Sequence, residues 1–310
     1  MKFLVALPTD HVDKPGEFLT AAAVAEMASH AEERGIDGVF VTDHPAPDDR
    51  WLAGGGHHAL EPTVALSFAA AATTTLRIVT NIYVLAYRNP LLAAKTLASL
   101  DVLSGGRLTV GVAAGYLRSE FKALGAEFEH RNEALDEGLR VLTAAWTGES
   151  VVAGGETWSA RGNTILPRPI QRPRPPLWCG GNSKTAMRRA VELGDGWLPF
   201  GTPVGLSGAV RTAEISSVAD LARRIEMLDQ LCEAHGRAER PTICFSPLSA
   251  WDEPERLVDE VGELEALGVD WVSVTLSSIH DRDVTREQWL AAVDTLADNF
   301  GLLLPGADDE

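Results

Sequence analysis

Apolar residues in this chain alternate between short continuous runs and longer stretches of helical period, and that alternation predicts a parallel sheet covered by helices. The runs Phe3–Leu7, Gly38–Thr42, Arg77–Ile82, Leu108–Val112, Leu177–Cys179, Gly196–Pro199, Thr242–Phe245 and Trp271–Thr275 have strand length and lie beside Gly, Asp or Pro. Between them, Ala21–Arg34, Leu91–Leu103, Asn132–Trp146, Leu221–His235 and Arg256–Leu267 carry apolar residues at every third or fourth position. Several of these stretches stop at a glycine, as at Gly35, Gly236 and Gly268, the residue that most easily takes a left-handed helix end. Eight strand–helix repeats predict an α/β fold closed into a (β/α)8 TIM barrel, with an open doubly wound sheet as the competing arrangement.

Two connections break the rhythm. Between the fourth and fifth strands the chain adds 148–176, which contains GGETWSARG and PRPIQRPRPP. It has no helical period and much proline, so it is expected to be an insertion with a hairpin and an extended segment returning to the barrel. A lid over the site and a rigid strap are equally open readings. The second connection, Phe200–Ser217, is rich in Gly, Ser and Thr and follows a strand end, where it could close over a ligand.

Composition agrees with one barrel. The 310 residues are 45% hydrophobic, enough for one large core, so 1–310 is expected to be a single domain. A net charge of -17 would repel a polyanion, and no basic stripe offsets it, so nucleic acid is not an expected partner. The start MKFLVALPTD has too short an apolar stretch for a signal peptide, and threonines interrupt the Ala-rich run near position 70. No membrane association is expected, and the location is expected to be cytoplasmic. Cys179, Cys232 and Cys244 are odd in number and far apart, which suits buried thiols. His57-His58 has no third ligand at useful spacing, so no metal is expected.

In a closed barrel the strand C-termini build the active site. The second strand ends in VTDH, which puts Asp43 and His44 at that rim. Neighbours on a strand do not easily pair, so His44 is expected to face the barrel axis while Asp43 bonds backbone or a supporting group. After the fourth strand comes AAGYLRSEF, where Gly111 and Gly115 would leave backbone open to a flat ligand and Arg118 and Glu120 could reach it. After the fifth comes CGGNSKTAMRRA, where Asn182 or Ser183 opens a helix whose backbone amides suit an anion. Trp51, Trp158, Trp178 and Trp197 lie in or near the rim segments and are candidates for a flat aromatic ligand as well as for core packing.

The segments VTDH (41–44), NIYVLAYRNPLLAAK (81–95), LDVLSGGRLTVGVAAGYLRSEF (100–121) and CGGNSKTAMRRAVELGDGW (179–197) resemble the bacterial-luciferase-like family of flavin and deazaflavin oxidoreductases. The resemblance implies a (β/α)8 barrel with an insertion after strand four, a homodimer formed through outer helices and no tightly held metal. The SGGR…GVAAG…EF stretch most resembles members that use the deazaflavin coenzyme F420, while others with similar motifs use FMN. The resemblance puts His44 at an active-site base, beside Asp43, and Asn81–Ile82 at a non-proline cis peptide backing the ring. Gly115 and Tyr116 would line the ring or its ribityl chain, and Gly180, Gly181 and Ser183 would hold the phosphate. A general-acid role would fall to Glu120, yet the related sugar-phosphate dehydrogenase has its glutamate nearer the second glycine, where this chain has Tyr116-Leu117. The implied activity is hydride transfer between the deazaflavin and a small organic substrate. An FMN-dependent luciferase-like monooxygenase is the alternative, and a catalytically silent flavin-binding barrel a third reading.

Overall fold

The apolar runs become strands because both of their faces are buried, as parallel sheets wrapped by helices require. In a computed structural model, residues 1–155, 157–202, 212–250, 252–277 and 283–302 are described. The strands are β1 (Lys2–Ala6), β2 (Gly38–Val41), β3 (Arg77–Val84), β4 (Leu108–Ala113), β5 (Ser150–Gly154), β6 (Ser159–Thr164), β7 (Leu177–Gly180), β8 (Gly196–Leu198), β9 (Thr242–Phe245) and β10 (Trp271–Val274). Eight of them close into a barrel in the order β1-β10-β9-β8-β7-β4-β3-β2, every pair parallel. The open-sheet alternative is thereby excluded. All eight sequence runs are these strands, with ends displaced by at most two residues.

Side chains on each strand divide by a period of two. Leu4, Phe40, Val79, Trp178, Leu198, Cys244 and Trp271 point inward and fill the barrel. Their neighbours Phe3, Val5, Val39, Val41, Ile78, Trp197, Ile243 and Val272 point outward into the core shared with the helices. Gly111 belongs to the inward set, and a Cβ there would lie 2.8 Å from Leu198 Cδ1. The barrel's own packing therefore requires this glycine, which corrects the expectation that it opens backbone to a ligand.

Many of the helices begin where a side chain accepts from their first amides or where a proline has no amide to satisfy. Asn89 Oδ1 accepts from Leu91 N at 3.0 Å, and Pro90 opens the helix Pro90–Leu103. Ser217 caps Val218–Ala234, and Pro254 opens Pro254–Ala266, so both start two or three residues before their apolar period does. Among the described residues, no helix is long and apolar enough to cross a membrane.

The insertion 148–176 holds the antiparallel pair β5–β6 and then the proline-rich segment. Fully buried Asp101 accepts from Ile170 N at 2.6 Å and from Gln171 Nε2 at 2.7 Å. Gln171 Nε2 also donates to Leu108 O at 2.7 Å, at the start of β4. This segment is thus fastened to the N-terminal end of the barrel, opposite the rim, and its geometry is that of a strap. In the second long connection, 203–211 lies outside the described residues, and so does the closure expected of it.

Candidate active site

The inward alternation of β2 continues beyond its last residue, so Phe40, Thr42 and His44 share one side and Val41 and Asp43 the other. His44 enters a cavity of about 520 Å³ at the C-terminal rim, a volume suited to small-molecule ligands. Asp43 turns into the wall. Its carboxylate meets both terminal nitrogens of Arg88, at 2.5 and 2.9 Å, and accepts from Val84 N at 2.8 Å. The Arg88 guanidinium lies 4.0 Å from the Tyr83 ring centroid. Asp43 thus ties the rim of β2 to the end of β3 and does not touch His44. Arg88 carries no strand or helix signal of its own, and sequence reasoning missed it.

The carboxylate that reaches His44 comes from 76 residues away. Glu120 is buried in the helix Arg118–Ala123, and its Oε2 lies 3.3 Å from His44 Nδ1 while its Oε1 accepts from Ala46 N at 3.2 Å. An ionised carboxylate only accepts, so the proton of a neutral His44 sits on Nδ1 and Nε2 presents a lone pair. That Nε2 lies 3.4 Å from Tyr116 Oη. Trp51 packs on the imidazole with ring centroids 4.4 Å apart, and His57 meets it edge-on at 4.9 Å. His57 Nδ1 donates to the His58 carbonyl at 2.8 Å, and burial holds the His57 pKa below its ordinary value. Burial, followed by the charge of Glu120, pushes the Tyr116 phenol up to about 12.

Beside His44, the wall is the bulged end of β3. The Asn81–Ile82 peptide is cis, and the β3–β4 register shifts between Thr80 and Tyr83. This non-proline cis bond is where the resemblance put it, and both residues line the cavity. Gly180 lies against them, since a Cβ there would be 3.2 Å from Ile82 Cγ2. Gly115 also lines the cavity, yet its glycine is explained by a φ of 78° and by Val84 and Phe121, which a Cβ would approach to 2.7 and 2.9 Å.

The third wall follows β7. Gly181 has a φ of 114°, and nothing lies closer than 3.5 Å to where its Cβ would stand. Trp197 Nε1 donates to its carbonyl at 2.8 Å and so fixes this turn from the core side. Ser183 caps the helix Lys184–Glu192 by accepting from Ala186 N at 3.2 Å, and both Ser183 and Thr185 line the cavity. Asn182 does not. It is fully buried, its carboxamide bonds Phe200 and Ala213, and its amide donates to Thr212 Oγ1 at 2.9 Å. This corrects its expected place as a ligand contact: it anchors the adjoining loop.

Two arginines open onto this wall, and neither was singled out by the sequence. Arg189 is held by Asp136 and by Asn132 Oδ1 at 2.9 Å, and Arg131 lies nearby on the cavity lining. Arg118, expected to reach a ligand, points outward to Glu129 at 2.5 Å and is absent from the lining. Of the rim tryptophans, Trp178 packs on Trp271 inside the barrel and Trp197 is fully buried, so both serve the core. Among the described residues, no group of three His, Cys, Asp or Glu side chains could hold a metal ion.

A flat molecule bearing a phosphate fits this arrangement. The bulge of β3 offers it a backing wall, and the open backbone at Gly181 leads to the amides and hydroxyls at a helix start, where an anion is favoured.

The chain is 31% identical over 254 residues to an F420-dependent glucose-6-phosphate dehydrogenase from Beutenbergia cavernae, covering 76% of this chain and 72% of the relative. It is 33% identical over 159 residues to an FMNH(2)-dependent dimethylsulfone monooxygenase from Pseudomonas putida, covering 50% of this chain and 44% of that one, so the match spans less than half of that relative's length. The fold is shared with a solved monooxygenase from Streptomyces bottropensis, with a TM-score of 0.74 at 22% identity over 96% of this chain and 98% of that one. Residues 1–298 match the luciferase-like monooxygenase family model, and the chain belongs to that family of oxidoreductases.

Proposed function

We propose that this protein is a coenzyme F420-dependent oxidoreductase that transfers a hydride between the deazaflavin and a small organic substrate. The observation that carries this reading is an imidazole fixed by Glu120 on Nδ1 in a cavity that also holds an open turn at Gly181 beside a helix start. When bound, the deazaflavin would supply two-electron hydride chemistry. Gly181, Ser183 and Thr185 would hold its phosphate, with Arg131 and Arg189 adding positive charge, while Asn81, Ile82 and Gly180 back the ring. Gly115 and Tyr116, which line the cavity after β4, would border the ring. His44 takes or returns the proton that accompanies the hydride, and Glu120 offsets the charge it then carries. Asp43 holds the β2 rim in place through Arg88.

An FMN-dependent luciferase-like monooxygenase is the second reading, favoured by the 33% identity to the dimethylsulfone monooxygenase. In that case the same cavity would keep water from the oxygen chemistry. Equilibrium titration with F420 and FMN, each oxidised and reduced, separates the two. The proposal expects F420 to bind and to support hydride transfer; tight FMN binding with no measurable F420 binding would reverse the order.

A further inference from the structure

We infer that Tyr116 is the group that meets the reacting oxygen of the substrate, an alcohol or the corresponding carbonyl compound, and passes its proton to His44. This rests on the hydride-transfer reading above. Its basis is the directionality of three side chains in series. Glu120 accepts from His44 Nδ1–H at 3.3 Å, which leaves Nε2 as an acceptor. Tyr116 Oη lies 3.4 Å from that nitrogen, so the phenol O–H donates to His44. The Tyr116 oxygen keeps its own lone pairs for a donor in the cavity that Tyr116 lines. A substrate hydroxyl is such a donor. Trp51 and His57 pack on the His44 ring, and Tyr116 Oη is the polar atom beside its Nε2.

The step balances as follows. In the oxidative direction the carbinol C–H bond breaks, and both electrons leave with the hydrogen to the deazaflavin. The O–H bond breaks as C–O becomes C=O, and its proton goes to Tyr116 Oη. Tyr116's original proton moves to His44 Nε2 in the same exchange. A neutral phenol and an imidazolium facing Glu120 result. The Tyr116 phenol is protonated at neutral pH, as any tyrosine is, and burial moves it further from ionising, which suits a group that gives up one proton as it receives another. Burial also disfavours a positive charge on His57, so no like charge opposes the imidazolium from that side.

Tyr116→Phe keeps the ring and removes only the oxygen. In protein without added coenzyme, NMR of the histidine ring nitrogens should show the His44 Nε2 signal moving toward that of an unbonded acceptor, with Nδ1–H retained. At saturating F420, single-turnover hydride transfer with alcohols or their carbonyl partners should fall on the order of 10²-fold. An unmoved Nε2 signal, or transfer within about threefold of the wild type, would overturn the inference and leave His44 acting directly. Wild-type protein that binds F420 yet transfers no hydride to or from alcohols or carbonyl compounds would overturn this inference alone, whereas protein that binds FMN and no F420 would overturn the hydride-transfer reading and this inference with it.

Discussion

Asp43 and His44 are adjacent in sequence and point to opposite sides of the barrel wall, so substitutions at the two positions should fail in different ways. His44→Ala should fold and bind coenzyme nearly as the wild type does, while single-turnover hydride transfer falls about 10²–10⁴-fold. Arg88→Met should instead cost about 3 kcal/mol of stability, because it leaves the Asp43 carboxylate buried without its counter-charge. Urea unfolding measures that loss, and a change of less than about 1 kcal/mol would show that the pair does not hold the rim together. The chain has three tyrosines, and burial raises the pKa of all of them, Tyr83 and Tyr116 to about 12 and Tyr87 also upward. An unfolded tyrosine loses its proton near pH 10. Between the two values the folded state holds more protons than the unfolded, so stability should decline as pH rises above about 10. Tyrosinate absorbance should then appear together with unfolding; a full tyrosinate signal at pH 10.5 or so in folded protein would contradict the burial of these phenols.

At the scale of elements, the barrel strands were legible because both of their faces are buried, which makes their runs mostly apolar. Their partners were not. Sequence shows that Gly111 lacks a side chain but not that Leu198 occupies the space, and it shows Asn182 at a helix start but not that Phe200 and Ala213 consume its carboxamide. The same limit hid the pairing of His44 with Glu120, because spacing along the chain does not show that the segment after β4 reaches across the end of β3 to the end of β2. The cis peptide at Asn81–Ile82 was anticipated from the resemblance alone, since no local signal marks a non-proline cis bond. The role of the insertion follows from its anchor. Asp101→Ala strands the amides of Ile170 and Gln171 and should cost about 2–4 kcal/mol in urea unfolding, while hydride transfer per folded molecule stays near the wild-type rate. A selective loss of rate would instead make the segment part of the catalytic machinery.

At the scale of the whole molecule, the helix Pro62–Ala72 leaves Val64 and Phe68 exposed, at 56% and 47%, among small alanines that permit close helix approach. We propose a homodimer across this face, as the resemblance implied. Light scattering at micromolar concentration should give twice the chain mass, and Phe68→Glu should shift it toward the monomer.

The inward side chains that fill the lower barrel also decide the order of events. With Leu4, Phe40, Trp178 and Trp271 occupying the interior beneath the cavity, the described part of the barrel leaves no passage through its base. Everything that enters must pass the rim, and whatever lies deepest is trapped by whatever arrives after it. A coenzyme seated against β3 and β7 would lie beneath a substrate at Tyr116, so it should bind first and leave last. Initial-rate kinetics should then show an ordered sequence, in which coenzyme dissociation slows as substrate concentration rises.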